Sequence, residues 1–143
     1  MEYTPEDKQA YFQQLYRRVN DPEYFSAQCG ILVTKLDDLY AEGEMPVSRA
    51  VMNPQNIVHG GALYTLMDAV SGIAAITCGR ACVTLNSSAS FLRAGEGTQM
   101  LYCVSSPVKV GRTIAVLHSA VTDDAGRELA NGTFTYFILD RPL

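Results

Sequence analysis

From His59 to Gly79 the chain reads H-G-G-A-L-Y-T-L-M-D-A-V-S-G-I-A-A-I-T-C-G, and with His59 neutral only Asp68 is charged. At 3.6 residues per turn, Leu63, Leu66, Met67, Val70, Ile73 and Ala74 form one broad apolar stripe. The far side holds Tyr64, Thr65, Asp68, Ser71, Gly72 and Ala75. A helix with a solvated back normally carries several Lys or Glu there. This back carries small residues and one acid. Both sides are therefore expected to be covered: the stripe by a sheet, the back by another backbone at close range.

The rest of the chain supplies the sheet. T-P-E-D at 4–7 opens a first helix, with Thr4 as cap, Pro5 at the first helical position and two acids at the positive end of the dipole. N-D-P-E at 20–23 starts a short second helix that Gly30 ends. Residues 31–41 and 44–52 are predicted as strands joined at Glu42-Gly43. After the long helix, A-C-V-T-L-N-S-S-A-S-F-L alternates, with Val83, Leu85, Ala89 and Phe91 on one face and Thr84, Asn86, Ser88 and Ser90 on the other. Strands over 98–110, 112–123 and 128–139 follow, punctuated at Gly111 and by D-D-A-G-R at 123–127. Short turns favour antiparallel pairing. The expected class is α+β, an antiparallel sheet with one long helix to bury, in a single domain.

Composition narrows the function. The N-terminus, M-E-Y-T-P-E-D-K, has no apolar leader, and no apolar run approaches the roughly 18 residues that span a bilayer. A cytoplasmic protein without membrane contact is expected. Cys29, Cys78, Cys82 and Cys103 form no C-x-x-C pair and are read as free thiols, mostly buried. Two histidines, His59 and His118, are too few for a His-based zinc site, so no metal is expected. Net charge is −4, with no basic stripe, which argues against nucleic acid as a partner. Yet residues 45–122 hold five Lys/Arg against two Asp/Glu. That middle section suits a compact anionic ligand.

The helix opens on His59-Gly60-Gly61. A helix N-terminus has unpaired N–H groups and a partial positive charge, and glycine leaves them uncovered. This is a natural oxyanion site. The H-G-G run also occurs in esterases that use a G-x-S-x-G nucleophile, but the chain contains no such elbow. His59 and Asp68 are nine positions apart, two and a half turns, so they point in opposite directions with about 13 Å between them along the axis. They cannot form a catalytic pair within one chain. If both serve one site, a second, antiparallel copy of the helix is required, as in a two-fold dimer.

The combination N-x5-H-G-G-x6-D, then V-T-L-N-S-S-A-S-F-L-R-A-G-E-G, then V-K-V-G-R-T resembles the hotdog-fold acyl-CoA thioesterases of the phenylacetyl-CoA thioesterase (PaaI-like) type. The resemblance covers residues 30–139. It implies a hotdog domain over residues 30–143 behind an N-terminal helical extension over 1–29. It also implies dimers with composite sites, often paired into tetramers, and no cofactor. By position, Asp68 matches the catalytic carboxylate and Gly60 the N–H that polarises the thioester carbonyl. Asn53 matches a loop amide that positions water or substrate, although turn formation is an equal reading of it. Thr84 sits where some members have a water-orienting hydroxyl. His59 and Gly61 complete the helix mouth on the substrate side, with His59 chiefly structural. Arg93, Lys109 and Arg112 are candidates for the CoA phosphates, with ordinary strand-end charges as the alternative. The sequence departs from the family at Asn56, where glycine is common, and at Ala94, where proline often follows the arginine.

The implied reaction is hydrolysis of an aryl-acyl or a medium- or long-chain acyl-CoA. Gly60 N–H would stabilise the oxyanion by about 3 kcal/mol. Asp68 of the partner chain would act as general base or as nucleophile. Two other readings stay open: an acyl-CoA sensor that binds without turnover, and a hotdog hydratase or dehydratase. The second needs D-x4-H or a His beside F-P-G, and neither occurs here.

Overall fold

The computed structural model describes residues 4–143; the first three residues of the expected N-terminal extension lie outside it. Helix α1 spans Pro5–Val19 and α2 spans Phe25–Gln28. Strands β1 (Leu32–Asp37) and β2 (Tyr40–Pro46) lead through a 3-10 turn at Arg49–Val51 to helix α3, Gly60–Ile76. Four strands follow: β3 (Arg80–Phe91), β4 (Met100–Val110), β5 (Ile114–Thr122) and β6 (Glu128–Pro142). They form one antiparallel sheet in the order β1-β2-β4-β5-β6-β3. Among the described residues no helix is long and apolar enough to cross a membrane.

The sheet curls around α3. Leu66, Met67, Val70 and Ala74 are wholly buried against Met45, Leu101, Leu117 and Phe134. The helix start at Thr4 is as expected: its hydroxyl accepts from the Asp7 N–H at 3.1 Å. α1 then closes the far end of α3, where carbonyls lack intrahelical partners. Tyr11 donates to the Ile76 carbonyl at 2.7 Å, and Thr77 Oγ1 donates to Ala74 O at 2.7 Å while accepting from Leu39 N–H.

Three expectations need correction. The β1–β2 turn is at Asp38-Leu39, not Glu42-Gly43, and Leu39 takes the left-handed φ of 53°. Gly43 instead lies mid-strand, opposite Val33 and Cys103. A Cβ there would stand 2.7 Å from Val70 Cγ2 and 3.3 Å from Leu32 O. Its role is to let α3 sit on the sheet. Gly43→Ala is expected to cost about 1–3 kcal/mol by overpacking. Urea unfolding checks this, and an unchanged midpoint would mean that the contact relaxes freely.

Second, Ser71 and Ala75, expected on the back of the helix, are buried within the chain itself, and Ile73, expected in the apolar stripe, is only partly covered. The buried arc widens on that flank because β6 brings Tyr136 against it. Third, the two faces of β3 do not hold along its length. A bulge between Thr84 and Asn86 resets the alternation, so Thr84 and Ser87 both reach α3. Val83, Leu85 and Phe91 are left about half exposed, because β3 is the sheet's terminal strand and one of its edges is unpaired.

Candidate active site

The loop ahead of α3 is built by Asn53. Its Oδ1 accepts from Gln55 N–H at 2.9 Å and Ile57 N–H at 3.4 Å, an Asx turn. Asn56 then adopts φ 60°, a left-handed conformation that asparagine tolerates nearly as well as glycine does. The departure from glycine there is thus conformationally neutral. His59 N–H donates to Val51 O at 2.8 Å and fixes where the helix starts.

His59 is the N-cap, its Nδ1 accepting from Gly61 N–H at 2.8 Å. That bond takes the Gly61 N–H out of contention for a substrate oxygen. Gly61 is glycine for a different reason: a Cβ would stand 2.9 Å from His59 Nδ1. The Gly60 N–H, in contrast, has no acceptor among the described residues. Gly60 lines a cavity of about 310 Å³ together with Asn53, Leu63, Phe91 and Arg93. This cavity brings together a residue with a free N–H, a loop amide whose Nδ2 is uncommitted, and a guanidinium.

Asp68 lies in a second cavity of about 410 Å³, with Tyr64, Thr65, Ala69 and Ile73 from α3 and Tyr24 and Phe25 from the start of α2. Its Oδ1 accepts from Thr84 Oγ1 at 3.1 Å and Tyr136 Oη at 3.0 Å. Nothing among the described residues donates to Oδ2. Thr84 therefore touches the carboxylate directly. Asp68 is eight residues, about 12 Å, along the helix from Gly60, and the two line separate cavities.

Arg93 lines the Gly60 cavity, whereas Lys109 and Arg112 line neither. Both belong to the β4–β5 end of the sheet, and the Arg112 carbonyl accepts from Arg80 Nη1. The cysteines line neither cavity. Burial pushes the Cys103 thiol up to about 12, while the neighbouring Cys82 thiol draws the Cys78 thiol down.

Tyr136, Ser71, Tyr24 and Phe25 were not singled out from the sequence. Tyr136 carried a signal: it alternates with Phe134 and Ile138 on the core face of its strand, and a buried phenol needs a polar partner.

The sequence profile of the Thioesterase superfamily matches residues 55–130, more than half of the chain. The chain belongs to the Thioesterase superfamily. It is a thioester hydrolase with the hotdog fold, its matched region running from the loop ahead of α3 through that helix and into β6. Among solved structures, the "hypothetical thioesterase protein" of Streptococcus pneumoniae TIGR4, crystallised with coenzyme A, is 32% identical. Its TM-score is 0.75, with 79% of this chain and 88% of that one covered. Two variant structures of that pneumococcal protein replace an aspartate and a threonine by alanine. A Streptococcus mutans protein bound to acetyl-CoA is 30% identical, with a TM-score of 0.73 and coverage of 78% and 90%. The Escherichia coli PaaI protein of the phenylacetic acid degradation operon shares the fold, with a TM-score of 0.85, 20% identity and coverage of 91% and 94%.

Proposed function

We propose that this superfamily member is an acyl-CoA thioesterase whose sites are completed across a two-fold axis. The observation that carries the reading is the division of one chain into two complementary halves. One half offers the uncommitted Gly60 N–H; the other offers Asp68 with Oδ2 open. Along the helix–strand contact, Gly60 lies beside Phe91, Tyr64 bonds Ser87, and Asp68 bonds Thr84. A two-fold axis near Ser87, pairing the free edge of β3 with its copy, exchanges the two ends. The exposed Val83, Leu85 and Phe91 would be covered in the same step.

In the composite site the thioester carbonyl oxygen accepts from Gly60 N–H, beside Asn53. Asp68 of the second chain takes a proton from water as that water adds to the carbonyl carbon. The tetrahedral intermediate collapses, the carbon–sulfur bond breaks and CoA leaves as the thiol. Attack by Asp68 itself, through an anhydride that water then cleaves, uses the same geometry. The acyl group occupies the Tyr24–Phe25–Tyr64 cavity, which gives the N-terminal extension a role in substrate fit. Arg93, beside the Gly60 cavity, is the first candidate for a CoA phosphate, with Lys109 and Arg112 farther off. Exposed Tyr102, Val104 and Val108 on β4 supply a surface for pairing dimers into a tetramer.

The related structures with coenzyme A and acetyl-CoA support CoA esters as the substrate class. The test is thiol release from a panel of acetyl-, aryl-acetyl-, octanoyl- and palmitoyl-CoA. The expected result is turnover of at least the aryl-acyl or a medium- or long-chain ester. Tight binding with no thiol release from any ester would make the protein a sensor. Hydration of an enoyl-CoA without thiol release would make it a hydratase.

A further inference from the structure

Tyr136 and Ser71 lie behind Asp68, fully enclosed between α3 and β6, and neither lines the Gly60 or the Asp68 cavity. Their hydroxyls are 2.6 Å apart. Tyr136 Oη is also 3.0 Å from both Asp68 Oδ1 and the Asp68 carbonyl, and Ser71 Oγ is 2.6 Å from the Met67 carbonyl. A count of protons orders this cluster. The two hydroxyls hold one proton each, and the carboxylate and the carbonyls only accept. The Tyr136 proton goes to the charged acceptor, because a charge-assisted bond is about twice as strong as a neutral one. Ser71 has one proton for two acceptors at 2.6 Å, the Met67 carbonyl and Tyr136 Oη; with the Tyr136 proton on Asp68, donation to Tyr136 is what satisfies the contact between the hydroxyls. The chain runs from Ser71 to Tyr136 to Asp68 Oδ1, each bond polarising the next.

Resting on the reading of Asp68 as the reacting group, we infer that Tyr136, backed by Ser71, is a positioning residue that pins Oδ1 and leaves Oδ2 as the atom that meets water or the thioester carbon. With Thr84 it gives Oδ1 two donors from two strands, β3 and β6, which fixes both side-chain torsions of Asp68. Burial, opposed by the Ser71 hydrogen bond and reinforced by the Asp68 charge, raises the Tyr136 phenol above its ordinary value. It therefore keeps its proton at neutral pH and remains a donor. Without it the carboxylate keeps only the more exposed Thr84 and can rotate.

The test is Tyr136→Phe in the full-length protein, alone and combined with Asp68→Asn. Turnover should fall about 10- to 100-fold, the scale of a mispositioned reacting group. KM should stay within about twofold, since Tyr136 lines neither cavity. In the Asp68→Asn background the second change should cost no further activity, because Tyr136 acts only through the carboxylate. Ser71→Ala, which leaves the ring packing in place, should give a smaller loss confined to kcat; this variant decides the matter if Tyr136→Phe fails to fold. Wild-type kcat in a folded Tyr136→Phe protein, with Asp68→Asn inactive, would overturn the inference and leave the role of Asp68 standing. So would a loss seen in KM alone, or wild-type kcat in Ser71→Ala where Tyr136→Phe does not fold. An active Asp68→Asn enzyme would instead overturn the assignment of Asp68 itself.

Discussion

Asp68→Asn is expected to fold and to bind CoA esters, yet to lose at least about 10²-fold in turnover. The hydrogen bonds make this substitution unusually clean. Asparagine is isosteric, and its carbonyl oxygen can stand in for Oδ1, still accepting from Thr84 and Tyr136. Its amide nitrogen then occupies the position of Oδ2. That atom donates protons where the reaction needs one accepted, so the geometry survives and the chemistry does not. Steady-state kinetics on the best ester, beside a thermal melt, checks both halves of the expectation. Turnover near wild type in a well-folded sample would move the catalytic role elsewhere.

The long helix was legible because an almost uncharged run of its length has few other places to go. Its N-terminus was legible because His59, Gly60 and Gly61 have distinct backbone chemistry, although only the structure separates their roles. Gly61 makes room for the His59 cap, and Gly60 keeps its N–H free. The β1–β2 turn was illegible for a physical reason. Gly43, the residue most suggestive of a turn, is needed where β2 passes under Val70, and the true turn uses Leu39, which has no turn chemistry to announce it. The two faces of β3 were misread because a bulge near Leu85 leaves no mark in side-chain composition. Ser71 reads as part of the back of the helix because a small polar residue on a helix fits either side. Only the arrival of Tyr136, sixty-five residues later in the chain, decides it. Local chemistry was readable in each case, whereas long-range contacts that reassign a residue were not.

The division of the site between chains leads to a second large effect. Asn53→Ala removes the acceptor for two backbone N–H groups in the loop that carries Gly60, so it should inactivate the Gly60 half. Asp68→Asn inactivates the other half. Each homodimer is then dead, since both of its sites carry the same defect. In a mixed dimer, one site receives Asn53 from the Asp68→Asn chain and Asp68 from the Asn53→Ala chain, and is intact. The other site receives both defects. Co-refolding the two inactive variants at equal ratio makes about half of the dimers mixed, each with one working site of two, so about a quarter of wild-type activity should return. Native mass spectrometry establishes that mixed dimers have formed. A single-chain site gives no recovery at any ratio, because every chain then carries a defect of its own. A mixture that stays dead although mixed dimers are present would sink the shared site. Asp68 would then have to reach a Gly60 N–H about 12 Å away on its own helix, which a side chain whose Oδ1 is held by two strands cannot do.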